Sequence, residues 1–334
     1  MAGNLPQGLR VRNGRLEKVT WDPIFGLTRS VSCGLLRHQR RVRGVNKLIS
    51  VFVCGVQKGG TTSLYAHFRE HPALSPPSQK ELHFFDDECR NWDRPGYADI
   101  LAYFPADDGD RLRFDITPIY CFWPPSLARI RDYNPQAKLI YLFRDPFERA
   151  WSQWCMEFAR NAETLPFAEA IREGRKRMQG LAPLADERRV YTYVERGFYG
   201  EQVRRALAHF SRGQLLFLRS RDFWNDHVRT LARISEFLGI PPFPDTGPKW
   251  EFRQAEGPFP SEPTEADRVL ISELTRPDIR EFAALTGLNV ADWPTMRSPD
   301  VGRATAKRWA LAWQVRWAGA RSRFSFSREQ PRRP

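Results

Sequence analysis

No stretch of this chain approaches the eighteen or so apolar residues a membrane-crossing helix needs, and the opening MAGNLPQGLRVRNGR has no apolar leader core. Cysteine is sparse. Cys33, Cys54, Cys89, Cys121 and Cys155 are scattered and odd in number, with no CxxC pair and no Cys/His cluster. A disulfide scaffold or a structural zinc is therefore not expected, and a reducing cytoplasm is. Internal repeats and low-complexity tracts are also missing. So is a basic core: the net charge is +13, but residues 1–47 and 303–334 carry +8 each, which leaves residues 48–302 at −3. That excludes nucleic acid as the expected partner of the core and leaves polyanion or membrane contact to the ends.

What is present is material for one large α/β domain with extensions: 334 residues, 41% of them apolar. Four apolar runs read as buried strands: ISVFVCG (49–55), LRFDI (112–116), KLIYLFR (138–144) and QLLFLRS (214–220). Helical patterns alternate with them at 61–71, 126–132, 146–158, 200–210 and 222–238. A last one, 264–286, is expected to be interrupted at Pro277. Alternation of this kind predicts an open, mostly parallel sheet between helical layers, with ligands beyond the C-terminal strand ends. GVQKGGTT (55–62) and FRDPFER (143–149) stand at those ends.

Paired glycines let the backbone turn tightly toward an anion, and the helix beginning near Thr61 adds its positive end. Lys58 supplies a mobile charge, and Thr61 and Thr62 supply hydroxyls. A bare glycine-rich turn is the bland alternative. A nucleoside-triphosphatase loop places lysine after its last glycine, whereas Lys58 precedes Gly59 and Gly60. The partner strand KLIYLF ends in Arg144, where a magnesium-binding carboxylate would be required. A phosphate ligand without a metal fits both departures.

GVQKGGTTSL resembles the 5′-phosphosulfate loop of sulfotransferases that use PAPS (3′-phosphoadenosine 5′-phosphosulfate), and LIYLFRDPFERAWSQW resembles their 3′-phosphate motif. KELHFFD is similar to a segment of the heparan sulfate glucosaminyl 3-O-sulfotransferase type, and RGFYGEQVRRALAHF to a family helix. The resemblance runs in order over about residues 48–293. It implies a three-layer α/β/α, P-loop-like sulfotransferase fold over 48–296, flanked by a basic N-terminal extension (1–47) and a basic, Trp-rich tail (297–334).

The implied activity is metal-independent sulfuryl transfer from PAPS to a hydroxyl or amine of a glycan, lipid or small metabolite (EC 2.8.2.-). The implied roles follow the motifs. Lys58, Gly59, Gly60, Thr61 and Thr62 hold the 5′-phosphosulfate; Arg144 and Ser152 hold the 3′-phosphate; Tyr199 lies near the nucleotide. Arg149 is expected to be a solvated helix arginine. Glu81 is the expected base and His83, two residues on and on the same side if the segment is extended, is the alternative base or a hydrogen-bond partner of the acceptor or sulfuryl group. Asp86 is expected to orient one of them, and Phe84 and Phe85 to be core.

Two departures stand out. FDITPIY has Ile116 where the glycan enzymes carry lysine, although Thr117, Pro118 and Tyr120 are kept. RQAEGPF keeps only Gly257 of a basic loop over the nucleotide, with Arg253 as a partial substitute. Two rivals therefore stay open: a degenerate relative that binds PAP (the desulfated donor) or lipid, and a P-loop kinase. In the tail, Trp309, Trp313 and Trp317 form one helical stripe among basic residues, the composition of an interfacial helix on anionic lipid. Self-packing of that stripe is the alternative. The expected location is cytoplasmic, with a peripheral membrane contact through this tail.

Overall fold

The computed structural model describes residues 47–244, 247–249 and 259–297, and the backbone of 9–12, 15–20 and 29–31. The chain divides into two units, Met1–Asn46 and Lys47–Pro334. In the first, β1 (Leu9–Arg12), β2 (Arg15–Thr20) and β3 (Arg29–Val31) pair antiparallel in the order β1-β2-β3.

The second unit has a five-stranded sheet of β4 (Val51–Gly55), β5 (Leu74–Ser75), β6 (Leu112–Ile116), β7 (Lys138–Phe143) and β8 (Leu215–Arg219). Its order is β5-β6-β4-β7-β8 and every pairing is parallel. The four apolar runs are the four long strands; β5, two residues long, carries too little pattern to be read ahead of the structure. The helices are α1 (Thr61–Glu70), α2 (Ala98–Leu101), α3 (Ser126–Tyr133), α4 (Pro146–Ala159), α5 (Phe167–Arg177), α6 (Glu187–Tyr191), α7 (Tyr199–His209), α8 (Ser220–Asn225), α9 (His227–Leu238) and α10 (Glu265–Thr286).

Alternate residues of each strand face opposite layers, and both faces are buried, which is why the strands read as unbroken apolar runs. Val51, Val53, Ile116, Ile140 and Leu142 pack with Leu64 and Phe68 of α1, Phe223 of α8 and Leu231 and Ile234 of α9. Phe52, Cys54, Leu139, Tyr141 and Phe143 pack the other way, against α3, α7 and α10. The three-layer α/β/α arrangement expected from the sequence is the fold observed. Trp151 and Trp154 of α4 stack on each other and bury against Phe167 and Ile171 of α5.

Two helical expectations need correction. The pattern over 222–238 is two helices, because Asp226 breaks it (φ −147°, ψ 81°) and its carboxylate accepts from the Arg229 amide at 2.9 Å, capping α9. The pattern over 264–286 is one 22-residue helix that passes through Pro277. Buried Ile271, Thr275, Ile279 and Phe282 form a stripe on both sides of the proline. Asp278, next to it, accepts from the Gly200 amide at 2.7 Å and the Glu201 amide at 3.0 Å at the start of α7. Docking of that stripe outweighs the proline penalty of roughly 3 kcal/mol.

After β4 the chain moves to the β5 side of the sheet, and after β7 to the β8 side. The crevice between the ends of these adjacent strands is the topological switch point, where open α/β sheets hold ligands.

Candidate active site

The loop after β4 is locked to β7 by its backbone. The Val56 amide donates to the Leu142 carbonyl at 3.1 Å, and the Gly59 amide to the Val56 carbonyl at 2.9 Å. A Cβ on Gly59 would stand 2.2 Å from the Leu142 oxygen, so no other residue fits there. Gly60 has φ 98° and caps α1, whose first-turn amides point into the crevice. Ser220 donates to the Gly59 carbonyl from the far side. Thr61 is buried at the helix start and Thr62 half-buried.

Lys58 itself is left-handed (φ 68°), a conformation that costs a non-glycine residue about 1 kcal/mol or more. Burial, then the positive charges of Arg144 and Arg160, pull its amine down to about 8. Arg144 is buried beyond the end of β7; it donates to the Lys58 carbonyl at 3.3 Å and to Glu148 at 3.2 Å, and lies 4.9 Å over the Trp224 ring. Tyr199 is fully buried and donates to the Arg144 carbonyl at 2.7 Å, so its contact is with the strand end that carries the arginine. Ser152 is buried on the same α4 that Asp145 caps through the Phe147 and Glu148 amides. Asp145 also accepts from the Thr295 amide and hydroxyl; burial, and the charge of Glu148, raise its carboxyl to about 6.

Arg149 is not solvated, as the sequence suggested. It is fully buried, donating to Gln153 at 2.8 Å and to the Tyr193 carbonyl, and so fastens α4 to the segment before α7. Arg253 and Gly257 lie outside the described residues, as does the whole Trp-rich tail from residue 298.

The second half of the site is KELHFFD. The segment is not extended: Glu81 has φ 60° and His83 φ 51°. The two side chains still meet, with the His83 Nε2 3.6 Å from a Glu81 oxygen, while Lys80 holds the other oxygen. Burial pushes the Glu81 carboxyl up, but the Lys80 ammonium and His83 outweigh it and hold it well below the usual carboxylate range. His83 donates from Nδ1 to Asp86 at 3.0 Å. Desolvation would lower its imidazole; Asp86 and Glu81 overcome this and lift it to about 10. At neutral pH, then, His83 is a cation between two carboxylates. Phe84 and Phe85 are core, as expected.

Several contributors escaped the sequence reading. Asp115, fully buried at the end of β6, accepts from Thr117 and Tyr120, each at 2.8 Å, and from the Leu82 amide at 3.5 Å. Tyr120 in turn accepts from the Phe84 amide at 3.2 Å, so the FDITPIY strand end pins the backbone on both sides of His83. Burial raises the Asp115 carboxyl to about 6, against those hydrogen bonds. Ile116 beside it turns into the apolar layer under α1. Arg189 of α6 donates to the side chain and the carbonyl of Asp86 and lies 4.0 Å over Trp123. Arg196 is buried and donates to Gln57 of the loop at 2.8 Å. A cleft lined by Arg144, Glu148, Arg221, Trp224 and Trp293 opens beside Arg144. An acid two residues before a kept threonine, and a tryptophan soon after a strand end, were the only signals available for Asp115 and Trp224.

Among the described residues no group of three His, Cys, Asp or Glu side chains is placed to hold a metal ion. No described helix is long and apolar enough to cross a membrane.

Comparison with known proteins gives a consistent picture. Residues 48–254 match the sulfotransferase domain family. The chain is 28% identical over 266 residues to heparan sulfate glucosamine 3-O-sulfotransferase 3B1 of Mus musculus, covering 73% of this chain and 65% of that one. It is 27% identical over 221 residues to the bifunctional heparan sulfate N-deacetylase/N-sulfotransferase 4 of the same species, covering 63% of this chain and 25% of that one. The chain thus spans less than two thirds of the length of these relatives. Among solved structures, a sulfotransferase from Alicyclobacillus acidocaldarius superposes with a TM-score of 0.60 at 25% identity, covering 73% of this chain and 98% of that one.

Proposed function

We propose, for a chain that belongs to the sulfotransferase family, that it transfers a sulfuryl group from PAPS to a hydroxyl or amine acceptor. One observation carries the reading: the Lys58 loop and Arg144 converge at the switch point between β4 and β7, with Glu81 and His83 forming a separate acid–base cluster. The loop fits a phosphate-bearing donor, because Gly59 tolerates no side chain and the start of α1 faces the crevice beside a buried lysine.

The donor supplies an activated sulfuryl group whose departure leaves negative charge on a phosphate oxygen. In this reading Lys58 and the first-turn amides of α1 meet that charge. Arg144 and Ser152 grip the second phosphate, and Tyr199 holds the strand end from which Arg144 projects. Glu81 takes the acceptor's proton. Of its two oxygens, the one facing His83 at 3.6 Å is the more loosely held, and that is the oxygen that receives it. His83, charged and fixed by Asp86, stays a donor. The reaction needs no metal in this proposal, and its setting is the cytoplasm.

Equilibrium binding of PAP, with and without magnesium, tests the reading. We expect metal-independent binding that Lys58→Ala weakens by at least roughly tenfold, the loss of one charge-assisted contact. Binding of Mg-ATP with no binding of PAP would assign the loop to a phosphoryl transferase instead.

A further inference from the structure

The two halves of the site differ in charge balance. Around the loop, Lys58, Arg144, Arg149, Arg160 and Arg196 crowd against Asp145, Glu148 and Glu157. Five cations there face three carboxylates, so the excess is positive. Positive excess suits a multiply charged donor.

Around Glu81 three described cations end on carboxylates of this chain. Lys80 lies on Glu81, His83 between Glu81 and Asp86, and Arg189 on Asp86 and Asp186. In the next ring Arg129 forms a two-pronged pair with Glu88 at 2.7 and 2.8 Å, and Arg90 pairs with Asp99 at 2.9 Å. Beneath the segment lies another carboxyl, Asp115, and its neighbour Ile116 is turned into the core. The sequence shows the same balance. Residues 78–95 carry three Lys/Arg against five Asp/Glu, and residues 161–195, between Arg160 and Arg196 of the donor half, carry six against six. A polyanion that drew Arg189 away would leave the buried Asp86 carboxylate with His83 as its remaining ion-pair partner among the described residues, a cation already shared with Glu81.

We propose that the acceptor of this site presents its hydroxyl or amine on an uncharged body, and that a sulfated polysaccharide is excluded from the Glu81 face by charge balance. The inference rests on the sulfotransferase reading above. The attacking hydroxyl or amine forms the bond to sulfur, its proton passes to Glu81, and the bridging oxygen leaves with the phosphate. None of these steps needs a charge on the rest of the acceptor.

Hydrogen–deuterium exchange on the full chain loaded with PAP tests this, with a heparin hexasaccharide as the probe. PAP alone must first slow exchange over 55–62. If it does not, the donor reading has failed, and that failure is told apart from any result with the hexasaccharide. With PAP bound, the hexasaccharide is expected to leave exchange over 78–93 and 186–197 unchanged, whatever it does at the basic terminal segments. The double variant Asp186→Lys/Glu187→Lys adds uncompensated positive charge on the exposed face of α6. It should gain protection over those two stretches, half-saturating at a hexasaccharide concentration about tenfold or more below any at which the wild type responds. Protection of those stretches in the wild type overturns the proposal. So does a double variant that gains none, because charge balance would then not be what keeps the polyanion out.

Discussion

Lys58 concentrates the chemistry of the donor half in one titrating group. Its amine is held near 8 by burial and by the charges of Arg144 and Arg160. An anionic donor would favour the ammonium form and raise that value. Binding should therefore take up protons where the free protein has lost them. At pH 8 the uptake is about half a proton per PAP, and at pH 6, where the amine is already charged, it is close to none. Calorimetry in buffers of different ionisation enthalpy reads this directly, and Lys58→Met should remove it. Equal heats in all buffers at pH 8 would show that the lysine does not meet the ligand. Lys58 and Arg144 could be picked out as candidates because each lies in a short contiguous motif at a strand end, and Glu81 because it lies in the motif KELHFFD. Arg189 could not: its partner Asp86 is 103 residues away, and nothing near ERRVY shows what the guanidinium will reach. Asp115 was hidden for a related reason, since its contact with the Leu82 amide spans 33 residues and an acid inside an apolar strand carries no mark of its partner.

At the scale of elements, the long strands and most helices were legible because burial on two faces or on one stripe leaves a period in the sequence. Breaks were less so, since Asp226 ends one helix by capping the next, and Pro277 fails to end one because its neighbours are docked. The packing of α1 on α9 holds a further consequence. His67 of α1 is buried and stacks on His227 at the start of α9, with ring centroids 5.8 Å apart. Burial, then the charges of His227 and Lys249, push its imidazole down to about 4. A base depressed in the folded state contributes stability that is present above its unfolded value, near 6.5, and is lost as pH falls through about 4. The full difference is on the order of 3 kcal/mol. Denaturant titrations of the wild type and of His67→Gln and His67→Leu, at pH 7 and at pH 4, isolate this contribution. Both variants should lose less stability on acidification than the wild type does, whatever their stability at pH 7. Parallel pH curves for all three proteins would show that α1 and α9 do not trap a neutral histidine.

Across the second unit, candidate functional groups gather at the C-terminal ends of the inner strands at a cost in stability. Lys58, Glu81 and His83 adopt left-handed backbone, and the buried carboxyls of Asp115 and Asp145 are both raised to about 6. Strain and buried charge of this kind persist only where the surrounding fold over-determines them. A ligand that binds the folded chain alone offsets part of that cost: at a hundred times its dissociation constant it adds about 2.7 kcal/mol. In a domain of this size that is roughly 5–10 °C in melting temperature. Because the two halves of the site are held by different elements, this gain should separate from catalysis. Glu81→Gln removes the base but leaves the Lys58 loop intact, so it should keep the full thermal shift with PAP while sulfate transfer from labelled PAPS falls about a hundredfold or more. Lys58→Ala should lose both. If Glu81→Gln lost the shift as well, the KELHFFD segment would be part of the donor cradle. If it kept its transfer rate, the proton would be going to another group, and with His83 already charged beside it, the next carboxylate within reach is Asp86.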